Sequence, residues 1–313
     1  MSKITVVGAG NVGATCANVM AQKELASELI LLDIQKGLSE GKALDMMQTA
    51  ALLEFDTRIK GVTNDYSATA NSNVVVITSG IPRKPGMSRE DLIGVNAGIV
   101  KDVIRNILKY SPNAVILIFT NPVDTMTYLA LKTSGLPPSQ IIGMGGMVDR
   151  TRFKYYLSQA LNCAFTDLEA TVIGGHGDAT MIPLIRFATY RGLPVSQLLD
   201  AETINQVVAD TMVGGATITR HIGTSAWYAP GAAGAIMVEA IVRDQKKAYS
   251  CCVALDGEYG QTDICIGVPT VIGKRGWEQI IDYKLDSEEQ ALFDKSAGAV
   301  RKMNHLLEEM KLI

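Results

Sequence analysis

The stretch that most constrains this chain is Gly8-Ala9-Gly10-Asn11-Val12-Gly13, set between an apolar run, Ile4–Val7, and a helical segment, Asn11–Gln22. Strand, glycine-rich turn and helix in that order leave little freedom. Gly8 permits the tight turn, Gly10 lets main chain approach a bulky anion, and Gly13 allows helix and strand to pack closely. The free N–H groups and positive dipole end of the helix then face the turn, which suits a pyrophosphate. Asp33 closes the next apolar run, Leu29–Leu32, twenty residues after Gly13. A carboxylate there accepts hydrogen bonds from adenosine ribose hydroxyls and repels a 2′-phosphate, which favours NAD over NADP. The plainer alternative is that Asp33 only caps the following turn.

The rest of the first half repeats the alternation. Gly37–Leu53 and Asp91–Tyr110 have helical periodicity, while Val74–Thr78 and Ala114–Thr120 are continuous apolar runs of strand length. Strands without polar alternation are expected where helices cover both faces of a parallel sheet. The predicted fold is therefore α/β, an N-terminal Rossmann-type doubly wound parallel sheet. Past Gly146 the pattern changes: helices at Asp149–Leu161, Ala201–Arg220, Pro230–Arg243 and Ser287–Met310 mix with short strands at Leu168–Ile173, Met181–Ile185, Val253–Leu255 and Ile264–Val271. This reads as a C-terminal α+β substrate domain. The expected division is 1–146 for the dinucleotide and 147–313 for the substrate.

Bulk properties exclude several classes. With 313 residues and 47% hydrophobic content the chain can bury a large core, and a net charge of -3 with scattered signs argues against nucleic acid as a partner. No apolar run reaches bilayer length, and MSKITVVGAG does not resemble a secretory leader, so no membrane association is expected. Cys16, Cys163, Cys251, Cys252 and Cys265 show no CxxC spacing; the adjacent pair reads as neighbouring strand positions, and a reducing cytoplasm without a metal site fits best.

Only three histidines are available for acid–base work. His305 falls in a charged terminal helix and His221 near a helix end, both ordinary surface positions. His176 sits within Gly174-Gly175-His176-Gly177-Asp178, directly after a strand, where flanking glycines leave an imidazole approachable. Three further groupings stand out: Asp149 and Arg152, three apart at a predicted helix start; the loop Ile81–Arg89, with Arg83 and Arg89; and Thr120-Asn121-Pro122-Val123-Asp124 at a strand's C-terminal end. Taken singly, these are compatible with a surface ion pair, a solvated basic loop and a turn.

Taken in order, GAGNVG, Asp33, IPRKPGMSR, TNPVD, VDRTRF and GGHGD resemble the lactate and malate dehydrogenase family along nearly the whole chain, in its lactate-dehydrogenase-like bacterial branch. The resemblance implies hydride exchange between NAD and a 2-hydroxy acid, in homodimers or homotetramers. It implies His176 as general acid and base, Asp149 as its orienting partner, and Arg152 as a bidentate grip on the C1 carboxylate. Arg89 would polarise the ketone, delivered by closure of the loop Ile81–Arg89. Asn121 would bond near the substrate oxygen and the nicotinamide. Gly8, Gly10, Asn11, Val12, Gly13, Asp33 and Asn96 would join Asn121 in holding the cofactor, with Gly223–Pro230 forming the far pocket wall. Arg83 stands where lactate enzymes usually carry glutamine, which implies the dicarboxylates malate and oxaloacetate. Other 2-hydroxy acids, a non-catalytic NAD-binding protein and a metal-dependent NAD-using glycosidase are the competing expectations.

Overall fold

Six strands, β1 (Lys3–Val7), β2 (Glu28–Asp33), β3 (Arg58–Thr63), β4 (Val74–Ile77), β5 (Val115–Ile118) and β6 (Ile141–Gly143), lie parallel in the spatial order β3-β2-β1-β4-β5-β6. These and all further positions come from a computed structural model describing residues 2–82 and 87–313, so Arg83 lies outside the described residues. The connecting helices are α1 (Asn11–Gln22), α2 (Leu38–Gln48), α3 (Ala50–Leu53), α4 (Arg89–Tyr110) and α5 (Val123–Ser134).

Alternation along each strand sends neighbours to opposite faces. Val74 and Val76 join Ile4, Val6, Leu29 and Leu31 beneath Cys16 and Met20 of α1. Val75 and Ile77 join Ile30 and Leu32 beneath Ile93, Val100 and Ile104 of α4. Two cores on one sheet explain why those runs lack polar positions. Two strands of the parallel part escaped the sequence reading. In β3, exposed Arg58 and Lys60 interrupt the apolar run, as an edge strand permits, and β6 is only three residues long. The helical stretch Gly37–Leu53 is interrupted at Thr49, whose hydroxyl donates to the Met46 carbonyl at 2.8 Å and competes with the helix ladder. Conversely, α4 starts two residues before Asp91 because Ser88 caps it reciprocally: the Ser88 hydroxyl accepts from Asp91 N–H, and the Asp91 carboxylate from Ser88 N–H.

Beyond β6 come α6 (Gly145–Leu161), β7 (Leu168–Glu169), β8 (Val172–Gly174), β9 (Met181–Pro183), β10 (Thr189–Tyr190), β11 (Leu193–Pro194), α7 (Ala201–Ile222), α8 (Tyr228–Val242), β12 (Lys247–Asp256), β13 (Thr262–Gly273), β14 (Gly276–Ile280) and α9 (Ser287–Glu309). The strands expected at Val253–Leu255 and Ile264–Val271 belong to a much longer hairpin. β12 touches β6 at Cys252–Gly143 and β13 touches β8 at Gly267–Gly174, both antiparallel. The hairpin therefore carries one sheet from the parallel half to the strand that ends beside His176. A third core gathers Phe153 and Leu157 of α6 with Leu168, Val172, Met181 and Val207. Among the described residues no helix is long and apolar enough to cross a membrane.

Candidate active site

The glycine turn has the shape a pyrophosphate requires. Gly8 has φ +103°, and a Cβ on Gly13 would stand 1.9 Å from the Gly8 carbonyl oxygen, so neither position tolerates a side chain. At Gly10 a Cβ would meet nothing within 4 Å, which leaves the turn open on the side facing the start of α1. Gly10 is the N-cap of that helix and provides no side-chain cap, so the first N–H groups remain available to an anion. Asp33 is held across the turn: Oδ2 accepts from the Ala9 N–H at 2.6 Å and Oδ1 from the Gln35 N–H at 2.9 Å. The capping arrangement leaves each carboxylate oxygen a second lone pair able to accept from a hydroxyl.

At the C-terminal ends of the parallel strands, four segments converge. The Asp149 carboxylate, 1% exposed, accepts from His176 Nδ1 at 2.8 Å and from Arg152 Nη1 at 3.1 Å. An ionised carboxylate only accepts, so the Nδ1 proton is fixed and Nε2 is the nitrogen left for a ligand. Burial pulls the His176 pKa down, but the charge and hydrogen bond of Asp149, helped by the charge of Asp124, outweigh it and leave it above its ordinary value. Asp149 sits in the second turn of α6, since the helix begins at Gly145 and not at Asp149 as expected. A Cβ on Gly145 would lie 2.7 Å from His176 Cβ, so that extra turn passes against the imidazole only as glycine. Gly214 and Gly215 in the middle of α7 are similarly shaped around Arg152: a Cβ on either would lie 3.1 Å and 3.3 Å from its side chain. This buried cluster is no surface ion pair.

His176 and Arg152 line a cavity of about 220 Å³ together with Asn121, Val12, Thr219 and Ser225, and Ala226 and Pro230 complete the wall expected from Gly223–Pro230. Val12 comes from the glycine turn, so the cavity adjoins the cofactor corner. Arg89, by contrast, is exposed at the first position of α4 and does not line the cavity. Asn96, expected at the cofactor, is 1% exposed and its amide is used within the protein: Oδ1 accepts from Ile81 N–H at 2.8 Å, and Nδ2 donates to the carbonyls of Ile81 and Asn121 at 3.2 Å and 2.7 Å. It ties the loop after β4 to the loop after β5. A larger groove of about 710 Å³, lined among others by Asn71, Asn73, Asn113 and Arg275, lies at the opposite strand ends and has no histidine or carboxylate on its walls. Among the described residues no cluster of three or more metal-binding side chains occurs.

Sequence reasoning missed Asp124 as a site component. It is 2% exposed and its Oδ2 accepts from the His176 main-chain N–H at 2.7 Å. An acid in the first turn of a helix ordinarily complements the helix dipole, which disguises any other role.

The fold and this cluster define an NAD-binding dehydrogenase class. The model of the lactate/malate dehydrogenase NAD binding domain matches residues 2–143, and that of the lactate/malate dehydrogenase alpha/beta C-terminal domain matches residues 147–310. The chain belongs to the lactate/malate dehydrogenase family, and its N-terminal part is that family's NAD-binding domain. A malate dehydrogenase of Parabacteroides distasonis is 65% identical over 99% of both chains, and one of Flavobacterium frigidimaris is 61% identical over 98% of this chain and 99% of that one. Among solved structures, malate dehydrogenase from Salinibacter ruber superposes with a TM-score of 0.94 at 42% identity, covering 99% of this chain and 98% of that one. Lactate dehydrogenase from Cryptosporidium parvum, complexed with lactic acid and the dinucleotide, also gives 0.94, at 34% identity and covering 98% of each chain. The backbone is common to both activities; side chains must separate them.

Proposed function

We propose that this protein catalyses the reversible NAD-dependent oxidation of (S)-malate to oxaloacetate. The observation that carries the reading is the buried Asp149 carboxylate joining His176 and Arg152 at one cavity beside the glycine turn. NAD held at the glycine turn would supply the acceptor for the hydride leaving C2. His176 Nε2 takes the hydroxyl proton during oxidation and returns it during reduction, while Asp149 stabilises the imidazolium. Arg152 grips the C1 carboxylate through its fork, a planar match that lysine lacks. Asn121 bonds near the reacting oxygen and the nicotinamide, and Arg89 reaches the ketone oxygen in the ternary complex to stabilise developing negative charge. Gly8, Gly10, Asn11, Val12, Gly13 and Asp33 hold the dinucleotide, with Asn96 acting through the two loops it braces. Residues 1–146 and 147–313 divide cofactor from substrate binding, and the chain works as a cytoplasmic homodimer or homotetramer. Exposed Leu52 and Leu53 on α3, 81% and 50% accessible, suit such an interface, and sedimentation velocity tests it.

Specificity for a dianion rests on Arg83. A second carboxylate requires a second cation, and a guanidinium left unpaired beside a methyl group costs roughly 3–5 kcal/mol, about 10² to 10⁴ in rate. The test is NADH oxidation with oxaloacetate against pyruvate, in the wild type and Arg83→Gln. The expected result is a wild-type preference for oxaloacetate that moves toward pyruvate by about 10³ in kcat/KM ratio. An unchanged preference in the variant overturns the assignment.

A further inference from the structure

We infer that Asp124 is a positioning residue for His176, clamping the main chain of that residue from α5 while placing a second negative charge beside its imidazole. The inference rests on the acid–base role proposed above for His176.

The turn Gly174–Asp178 is rich in glycine, and such a turn does not by itself hold a side chain in one place. Three elements supply the restraint. The Asp149 carboxylate from α6 accepts a hydrogen bond from the imidazole Nδ1, and Asp124 Oδ2 from α5 accepts from the main-chain N–H of the same residue at 2.7 Å. From α9, the Ser296 hydroxyl accepts the Gly175 N–H at 2.9 Å and donates to the Thr180 carbonyl at 2.7 Å. The imidazole is thereby fixed at its ring and through the main chain on both sides of one peptide.

A hydrogen-bond acceptor alone does not explain an acid. Asparagine offers the same oxygen to the His176 N–H without burying a charge, and a buried carboxylate is costly. Oδ1 of Asp124 takes no N–H or O–H donor, and besides the His176 N–H only the weakly donating Cys252 thiol bonds to the carboxylate, so the second oxygen is not there for the clamp. Burial raises the carboxyl group's pKa, opposed by the His176 N–H, the imidazole charge and the Cys252 thiol and reinforced by the charge of Asp149. The charged or titratable groups facing it are His176, Asp149 with Arg152 behind it from α6, and the buried thiols of Cys252 on β12 and Cys265 on β13, both held neutral by burial first and by the Asp124 charge second. His176 is the one group here whose charge changes near neutral pH and gains from a nearby anion.

The signs follow. Reduction of oxaloacetate needs protonated His176, so its kcat/KM falls as pH rises through the imidazole pKa. Oxidation of malate needs the neutral ring and rises through the same pKa. An anion beside the ring moves both limbs to higher pH.

The experiment uses the full chain with Asp124→Asn and Asp124→Ser, two uncharged acceptors of different size, and Asp124→Ala, which removes acceptor and charge together. Asn and Ser are expected to lower the His176 pKa by about half a unit or more, read by NMR of its imidazole carbon-bound protons without substrate, and to shift both kinetic limbs equally. The KM for oxaloacetate and the affinity for NADH stay within about twofold, because this carboxylate is buried and does not line the cavity. Ala is expected to add a loss of about tenfold or more in kcat, as the ring wanders from its aligned position. Either uncharged variant suffices if the other does not fold. An unmoved imidazole titration in a folded variant overturns the electrostatic role, and an Ala variant with wild-type kcat overturns the clamp. His176→Asn run in parallel separates the two readings: retained turnover there defeats the acid–base role itself, whereas its loss beside unaffected Asp124 variants defeats only the present inference.

Discussion

The two corners of the cavity are built in different ways. The cofactor corner is nearly local: β1, the glycine turn, α1 and the end of β2 lie within the first 33 residues, and its main ion, Asp33, bonds back to Ala9. The proposed catalytic corner draws Asp124 from α5, Asp149 and Arg152 from α6, His176 from the turn after β8, and Ser296 from α9. Phosphate binding depends on main-chain N–H groups, which any sequence with the right turn presents. Proton transfer needs one side chain held to a fraction of an ångström, and only restraint from several directions achieves that.

If the corners are separable in this way, changes at each should have separate signatures. The largest effect is expected from His176→Asn: kcat down by about 10² to 10⁴, with NADH affinity by fluorescence titration within about twofold of wild type. A parallel loss of NADH binding would show that the corners are one unit. Gly145→Ala should be next. Its Cβ would stand 2.7 Å from His176 Cβ and 3.1 Å from a Val123 methyl, so the ring must shift. A kcat about 10- to 100-fold lower is expected, again with NADH binding unchanged. Steady-state kinetics with a wild-type turnover number would show that α6 yields and the ring does not. The smallest effect belongs to Asp33→Asn, for which NADH affinity should fall about tenfold and discrimination against NADPH should relax, while kcat at saturating NADH stays within about twofold. A fall in kcat with unaltered affinity would place Asp33 in the catalytic corner and sharpen the boundary differently.

This contrast also explains what was legible beforehand. The apolar runs at Val74–Ile77 and Val115–Ile118 and the turn at Gly8–Gly13 signal a doubly wound parallel sheet, because pattern and turn chemistry are local properties. The edge strand Arg58–Thr63 and the three-residue β6 were illegible, since partners elsewhere in the sheet make them strands. Flanking glycines after a strand singled out His176 and spacing paired Asp149 with Arg152, while the resemblance to a dehydrogenase family joined the three. Asp124 passed unnoticed within TNPVD because an acid at a helix start has an ordinary explanation.

The amino-acid order alone determined the alternation of strands and helices, the glycine-rich turn and the side chains on which the proposed proton transfer draws. Tertiary structure decided which of them meet: it started α6 at Gly145, buried Asp149 between a ring and a guanidinium, tied Asn96 to two loops, and put an acid from α5 under His176. The reason is that backbone preferences act over a few residues, whereas the charge felt by an imidazole comes from groups brought close only when distant strands pair and helices pack.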